Sequence, residues 1–161
     1  MSLFRFFHIV NERDEREFPE TRTTQCRQGK ASRREQRKLD LTPSDRVISL
    51  TRVRYLGGAP IVHDALLSPQ SSFPDSSRRN LKTRPMPYIR PTTRIWRGHH
   101  QGVEHLRAAA ATAQNAAALG IDPGTPLLQV DRVALGHHDN PIGWRLSHCR
   151  TDRFVCLNGL A

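Results

Sequence analysis

Two shortages in this sequence exclude whole classes of protein. Its three cysteines, Cys26, Cys149 and Cys156, are odd in number and have no Cys-x-x-Cys spacing, which argues against a disulfide scaffold and a zinc site. No run of about eighteen apolar residues is present, so we predict no membrane-spanning helix. Residues 1–10 are apolar, but they include an arginine and lack a small-residue cleavage site, so they fit a first strand better than a signal peptide. Reduced thiols in a cytoplasmic protein are the simplest interpretation.

Signatures of catalysis and of metal binding are also missing. The chain has no G-x-S-x-G, no H-E-x-x-H and no glycine-rich phosphate loop. No acidic residue stands in a clearly apolar context that would raise its pKa for proton donation. The pairs His99-His100 and His137-His138 do not chelate by themselves, because adjacent strand residues point to opposite faces and the second pair falls in a turn. We therefore expect neither an enzyme nor a bound metal or cofactor.

Positive charge is abundant. Lys and Arg total 25 against 15 Asp and Glu, and between Arg78 and Arg107 the only acid is Glu104. Such a balance is typical of nucleic-acid-binding proteins. The segment nevertheless has no RNP pattern, no paired-cysteine finger and no repeated basic helix. We interpret it as a solvated face, with a DNA-adjacent surface in a larger protein as the alternative.

Residue patterns predict one α+β domain over residues 1–161 with a mostly antiparallel sheet. Strands are predicted at 3–11, 21–29, 46–56, 60–67, 103–107, 126–135 and 142–149. Helices are predicted at 31–41 and in the alanine-rich segment 108–119, which Gly120 ends. Residues 68–80 are predicted to be a loop with a short helical turn, and prolines limit 86–96 to short helical pieces.

The hairpin over residues 46–67 is the most informative stretch. Alternation places Ile48, Leu50, Arg52 and Arg54 on one face of its first strand, so this face begins apolar and ends in two arginines. Guanidinium groups bind carboxylates and phosphates in a planar, two-pronged geometry. The hairpin therefore predicts an anion site at the edge of a sheet. The alternative is that both arginines flank the turn in solvent.

The same hairpin resembles a known family. Arg52-x-Arg54, a glycine turn, Pro60 and Asp64 are similar to the effector-binding UTRA domain of GntR-type transcription regulators of the HutC group. Two later passages resemble the same family: residues 116–132, which include Leu119-Gly-Ile and Pro126-Leu-Leu, and residues 140–154, which include Asn140-Pro-Ile and Arg150-Thr-Asp-Arg-Phe. The resemblance extends from Phe4 to Phe154.

The resemblance implies a chorismate-lyase-like fold, in which a curved antiparallel sheet has helices packed on one side and holds a ligand in a pocket against them. It also implies that both arginines and Asp64 face inward. A two-residue Gly57-Gly58 turn would place Arg52 opposite His63, whereas a three-residue loop that includes Ala59 places it opposite Asp64. We therefore predict the three-residue loop.

The implied ligand site contains six residues. By resemblance, Arg52 and Arg54 grip an anionic group and Asp64, where the family usually has glutamate, binds a hydroxyl or amine. The other three are Tyr88, packing over the ligand, and Phe7 and His8, offering backbone N–H groups and a polar side chain from the first strand. Structural alternatives are a solvated Arg54, a Tyr88 at the edge of the core, and an Asp64 that only caps a cross-strand contact.

Three positions depart from the family pattern. Met86 replaces an expected serine, Gly143 stands where glutamate is common, and Cys149 stands where tyrosine is common. These losses disfavour a sugar-phosphate effector. They favour a smaller or more apolar anion, such as a carboxylate or a phosphonate.

The resemblance implies a sensor. Family members carry an N-terminal winged-helix domain that reads DNA, and nothing ahead of Phe4 matches one, so we expect this chain to be the sensor half of such a regulator. A small anion would shift a cytoplasmic homodimer between arrangements and change the affinity of a repressor for its operator. Two alternatives stay open: a chorismate-lyase-like enzyme acting on a small carboxylate, and a basic nucleic-acid-binding module.

Overall fold

The structure, a computed structural model, describes residues 8–10, 19–72 and 102–157. Its strands are β1 His8–Val10, β2 Glu20–Lys30, β3 Arg46–Leu56, β4 Ala59–Pro69, β5 Gly102–Ala110, β6 Pro126–Leu135, β7 Pro141–Arg150 and β8 Val155–Leu157. Its α-helices are α1 Arg33–Leu39 and α2 Ala113–Leu119, and single 3-10 turns cover Gln70–Ser72 and His137–Asp139. None of the helices described is long and apolar enough to cross a membrane.

A six-stranded antiparallel sheet forms the centre of the fold. Its strand order is β2-β3-β4-β7-β6-β5, and β1 pairs separately with β8. The two predicted hairpins, β3–β4 and β6–β7, therefore lie side by side through the β4–β7 pairing. The predicted α+β class is confirmed. The short strand β8 was not predicted, and of the predicted first strand only residues 8–10 lie within the described part.

The turn of the first hairpin differs from the three-residue loop that we predicted. Leu56 pairs with Ala59 across the two residues Gly57 and Gly58, whose φ angles are 55° and 79°. Positive φ at both central residues is the geometry of a type I′ turn, which matches the twist of paired strands. A β-bulge then inserts Ile61 into β4, so that Arg54 pairs with Val62. The bulge supplies the shift of one residue that we had assigned to the loop.

Both helices begin at hydrogen-bonded caps. Ser32 and Glu35 form a capping box at the start of α1, and the Thr112 hydroxyl accepts a hydrogen bond from the backbone N–H of Asn115 at the start of α2. The prediction that a helix begins at Ala108 is wrong. Residues 108–110 continue β5 and pair with β6, because a partner strand outweighs the helix propensity of alanine.

The two helices pack on the same face of the sheet. Leu39 and Trp144 belong to the apolar cluster under α1, and Leu119 and Leu127 belong to the cluster under α2. Polar contacts fix each helix in place. Asp131 accepts hydrogen bonds from Lys38 Nζ at 2.7 Å and Trp144 Nε1 at 2.8 Å, while His63 Nδ1 lies 2.9 Å from Asn115 Oδ1. This face therefore forms the sheet-to-helix core.

Apolar side chains also cover parts of the opposite face. One cluster contains Leu56, Ile61, Val62, Val130 and Cys149, with Leu128, Phe154 and Cys156 packed against it. A second contains Leu50, Leu66 and Ala134, with Ile142 against it. Both clusters use the strand positions that alternate with those facing the helices. The sheet is thus buried on both faces over its central strands.

The turn geometry makes a prediction at Gly57. No atom lies within 4 Å of the position that a Cβ would take there, so only backbone strain opposes a side chain. Gly57→Val should lower the free energy of unfolding by about 1–2 kcal/mol, because a β-branched residue disfavours positive φ. Gly57→Asn should cost less than half as much, because asparagine tolerates this region. Urea unfolding of both variants measures the difference, and equal losses would contradict the type I′ assignment.

Candidate functional site

Asp64 is the centre of a buried charged cluster. Its side chain is fully buried, with 0% of the residue exposed. Arg52 Nε donates to its Oδ2 at 3.0 Å and Arg54 Nε donates to the same oxygen at 2.8 Å. Arg54 Nη2 also donates to this oxygen, so Arg54 grips it with two nitrogens. The predicted meeting of both arginines with Asp64 is present, and all three residues are buried rather than solvated.

Strand register brings these groups together. Arg52 and Arg54 are two residues apart on β3 and share a face, and the bulge at Ile61 places Asp64 directly opposite Arg52. On its other side Asp64 pairs with Ser147 of β7, whose hydroxyl donates to Asp64 Oδ1 at 2.5 Å. Three adjacent strands therefore contribute to one hydrogen-bonded cluster.

Sequence reasoning missed two members of this cluster, Ser147 and Arg145. Arg145 lies two residues before Ser147 on β7, so it shares the face of Asp64, and it is 5% exposed. It pairs with Leu66 on one side and with Arg132 on the other, and Arg132 in turn pairs with Glu104 of β5. Alternation along the predicted strand could have placed Arg145 on this face, but nothing in the sequence marked that face as the site.

The carboxyl group of Asp64 stays ionised despite its burial. Burial alone would raise its pKa, but Arg54, Arg52 and Arg145 and the hydrogen bond from Ser147 lower it by more. The resulting pKa lies well below the usual range of an aspartate. Asp64 is therefore a permanent anion at neutral pH and cannot act as a proton donor there.

The guanidinium groups are in a less favourable setting. Burial lowers the pKa of Arg145 to about 10, with further lowering by Arg54, Arg132 and Arg52 that Asp64 only partly offsets. Burial likewise lowers the pKa of Arg52. Burial raises the pKa of Glu104, while Arg132 and Arg145 oppose that rise. Burial thus opposes charge of either sign on this face, while the arginines act against additional positive charge and in favour of an anion.

Arg52 is positioned so that part of its donor set is available. It is held through Nε, and its two terminal nitrogens have no hydrogen-bond partner in the described ranges. An arginine fixed in this way presents two parallel N–H donors at its end, which suits a carboxylate or a phosphate-like group. The fork is pre-oriented, because Asp64 already restricts the side chain.

The cluster lies on the sheet face opposite α1 and α2. His63 and Leu67, which contact those helices, alternate with Asp64 along β4. The expected pocket against the helices is therefore not formed by α1 or α2. Two apolar clusters border the charged groups instead, one around Val62 and one around Leu66.

The other predicted ligand-binding residues fall at the edge of what is described. Phe7 and Tyr88 lie outside the described residues, and so does Met86. The backbone of His8 is in β1, paired with Leu157 of β8. Most of the basic segment 78–107 and the pair His99-His100 lie outside as well. Within the described ranges no three His, Cys, Asp or Glu residues are grouped so that they could hold a metal ion.

Comparisons with known proteins agree with this architecture. The family model described as UTRA domain matches residues 15–155. The ligand-binding domain of a protein assigned to the GntR family of transcriptional regulators, from Bordetella bronchiseptica, has a TM-score of 0.80 and 29% sequence identity, covering 98% of this chain and 99% of that one. The likeness confirms the chorismate-lyase-like α+β fold with its curved sheet.

Two further structures share the fold at lower identity. A GntR-family transcriptional regulator from Enterococcus faecalis has a TM-score of 0.72 and 22% identity, covering 88% of this chain and 100% of that chain. The effector domain of PhnF from Mycobacterium smegmatis has a TM-score of 0.69 and 22% identity, covering 84% and 83% of the two chains.

Replacing the central carboxylate should destabilise the fold. Asp64→Asn leaves Arg52, Arg54 and Arg145 beside a neutral amide, and removing one partner of a buried ion pair typically costs about 3–5 kcal/mol. Urea unfolding at pH 7 measures the loss. Asp152→Asn is the matched control, because Asp152 pairs with Arg150 but its side chain is 48% exposed. That exposed pair should contribute less than about 1 kcal/mol, and equal losses would show that the cluster does not stabilise the fold.

The same carboxylate should make stability depend on pH. Its pKa is lower in the folded than in the unfolded chain, so its stabilisation is complete above the unfolded value of about 4 and declines as the pH falls below it. Between pH 7 and pH 3 the wild-type protein should lose about 1 kcal/mol more than Asp64→Asn does. Parallel urea titrations at the two pH values test this, and identical losses in both proteins would be the contrary result.

Proposed function

Because this chain belongs to the UTRA domain family, we propose that it is the effector-sensing domain of a GntR-family transcription regulator of the HutC type. In this proposal a small anion binds on the buried arginine cluster around Asp64. The intact regulator would be a homodimeric repressor. It would be cytoplasmic, because a protein that binds operators must be in the same compartment as the DNA. Support comes from the named likeness to a GntR-family ligand-binding domain and from the geometry of the cluster.

The pre-oriented fork of Arg52 is the observation that carries the proposal. Its Nε is fixed on Asp64 at 3.0 Å, which leaves the end of the guanidinium group to bind a ligand. An arginine that served only to pair with Asp64 would not need two free terminal N–H groups. A bidentate contact with a carboxylate or a phosphonate would use both of them at once.

The charge of the cluster supports an anionic ligand. Arg52, Arg54 and Arg145 share one face with Asp64, and the pKa of Arg145 is lowered to about 10 by burial first and by repulsion from the neighbouring arginines second. An anion that enters this field would reduce the repulsion and gain Coulomb energy in a site of low dielectric. The cluster therefore favours an anion over a neutral or cationic metabolite.

The apolar borders support a small ligand. Leu50 and Leu66 lie on one side of the charged groups, and Val62, Val130 and Cys149 lie on the other. Such walls suit a short hydrocarbon body rather than a polyhydroxylated sugar, whose hydroxyl groups would lose hydrogen bonds to water. We propose a small carboxylate or phosphonate as the effector.

Effector binding is proposed to act on DNA affinity through the strands that form the site. The cluster joins β3, β4 and β7, so an anion held by Arg52 would favour one arrangement of these strands. A ligand shifts a conformational equilibrium only by its difference in affinity for the two states. In a dimeric regulator such a shift would change the separation of the two DNA-reading domains.

A chorismate-lyase-like reaction is the less supported alternative. Elimination assisted by an acid requires a group that is protonated at neutral pH. Asp64, the acid closest to the arginines, has its pKa held well below that range. Binding without chemistry therefore fits the cluster better.

The proposal predicts effector-dependent stabilisation that requires Arg52. A carboxylate or phosphonate at a hundred times its dissociation constant should stabilise the domain by about 2.7 kcal/mol. Arg52→Gln should weaken binding by at least tenfold, because glutamine retains polarity but loses the charged fork. A thermal-shift screen of carboxylates, phosphonates and sugar phosphates, followed by calorimetry on any hit, gives both quantities.

Arg33→Gln is the matched control for that screen. Arg33 is exposed on α1, on the sheet face away from the cluster, so its substitution changes net charge equally and should leave affinity unchanged. An equal loss of affinity in both variants would show that the effect comes from net charge alone. Absence of any anion that stabilises the wild-type domain, or turnover of chorismate by it, would overturn the sensor proposal.

Arg145 should strengthen anion binding while it lowers, or leaves unchanged, the stability of the fold. Burial and the neighbouring arginines act against its charge more than Asp64 favours it, so a neutral side chain of similar length relieves repulsion. Arg145→Met should leave the free energy of unfolding unchanged or raise it by up to about 1 kcal/mol. The same variant should bind the anion at least threefold more weakly. Urea unfolding and calorimetry test both parts, and a variant that is less stable and binds normally would contradict the expectation.

A further inference from the structure

Two of the three cysteines are neighbours in space. Cys149 is buried near the end of β7, and Cys156 of β8 packs against the same apolar cluster while remaining partly accessible. Both side chains therefore belong to one apolar cluster, and each thiol influences the pKa of the other. Cys26 is different, since it stands exposed on β2 at the edge of the sheet.

We propose that Cys149 and Cys156 form a reversible disulfide when the protein meets a peroxide, and that this pair is a redox-sensitive element beside the arginine cluster. The proposal does not depend on the identity of the effector. It assigns a role to Cys149, which departs from the family pattern, and to β8, which sequence analysis had not predicted.

The chain between the two thiols turns back on itself and is held there. Arg150 pairs with Asp152 through Nε at 3.0 Å and Nη2 at 2.6 Å, which fixes the turn after β7. Its Nη1 lies 3.5 Å from the carbonyl oxygens of Pro60 and Leu119. These contacts hold the turn after β7, and the chain returns so that both cysteines lie in one apolar cluster.

The two thiols differ in the way that peroxide chemistry requires. The neighbouring Cys149 thiol lowers the pKa of Cys156, and Arg54 adds to the lowering while burial opposes it. The neighbouring Cys156 thiol and burial raise the pKa of Cys149. Cys156 is thus the more accessible thiol and the one that ionises first, as a peroxide-reactive cysteine must. Cys149 is the resolving thiol.

The reaction has two steps that balance. The Cys156 thiolate attacks one oxygen of hydrogen peroxide, the O–O bond breaks, and sulfenic acid and hydroxide form. Cys149 sulfur then attacks the sulfenic sulfur, its proton joins the departing hydroxyl as water, and the S–S bond forms. In sum, two thiols are oxidised by two electrons and one peroxide is reduced to two waters.

Oxidation would alter the border of the proposed binding site. Cys149 pairs with Val62, which pairs with Arg54, so the three residues form one row across the sheet. Arg54 influences the ionisation of both thiols. A disulfide removes both ionisable thiols from the neighbourhood of this guanidinium group and ties β8 to β7. The electrostatic environment of the arginine cluster would then differ between the oxidised and the reduced protein.

The test uses Cys26→Ser, which removes the exposed third thiol and keeps the pair. Treated with one equivalent of hydrogen peroxide, this variant should lose both remaining thiols together, with a mass decrease of about 2 Da that dithiothreitol reverses. Peptide mapping should join the two cysteines, and the protein should stay monomeric under denaturing, non-reducing conditions. A mass increase of about 16 or 32 Da, a disulfide between chains, or two unreacted thiols would each overturn the proposal.

A second variant identifies the attacking thiol. In Cys26→Ser with Cys149→Ser, Cys156 has no resolving partner and should accumulate sulfenic acid, which dimedone traps. In Cys26→Ser with Cys156→Ser, Cys149 should be trapped at least tenfold more slowly. The reverse order of trapping would contradict the assigned roles. Circular dichroism of each variant verifies that it is folded, and the Cys26→Ser result stands without either of them.

Discussion

The structure depends on keeping one carboxylate ionised where water does not reach it. Asp64 is fully buried, and a lone carboxylate in that position would become protonated or force the site open. Arg52 and Arg54 from β3 and Ser147 from β7 meet its oxygens from both sides, so three strands must keep their register for the charge to remain tolerable. A slip of one residue in either pairing would turn Asp64 toward the helices and leave the arginines without it. The ionic cluster therefore acts against alternative registers as well as holding the native one.

That register comes from a turn and a bulge acting together. The type I′ turn at Gly57-Gly58 alone would place Arg52 opposite His63, and the extra residue Ile61 moves the pairing on to Asp64. The predicted pairing of Arg52 with Asp64 is correct, but the predicted three-residue loop is wrong. A longer loop and a bulge each shift the register by one residue, so both lead to the same pairing. Neither Pro60 nor Ile61 has a side chain that distinguishes the two solutions. The decisive information is the burial of Ile61 and Val62 in one cluster, which is a property of the packed sheet.

The limits of prediction elsewhere have the same origin. Strands with regular alternation, such as those over 46–56 and 126–135, could be placed from the sequence, and so could the helix ending at Gly120. Ala108 to Ala110 could not, since alanine is a good helix former and only the pairing with β6 makes these residues a strand. Arg145 was overlooked because a lone arginine in a strand usually faces solvent. Its burial results from the neighbours that β4 and β6 bring to it, and these are set by topology rather than by local sequence.

The composition of the cluster also explains why a sensor would carry it. Arg145 attracts Asp64, but burial and the neighbouring arginines oppose its charge by more, which lowers its own pKa to about 10. Evolution toward stability alone would replace such a residue by an apolar one. In the proposed sensor a bound anion would offset this cost, because it would place further negative charge beside the guanidinium groups. The free energy that repulsion costs the fold would then be recovered on binding, in the arrangement of β3, β4 and β7 that holds all the charges together. This differential is what a ligand needs to select one state of a regulator over another.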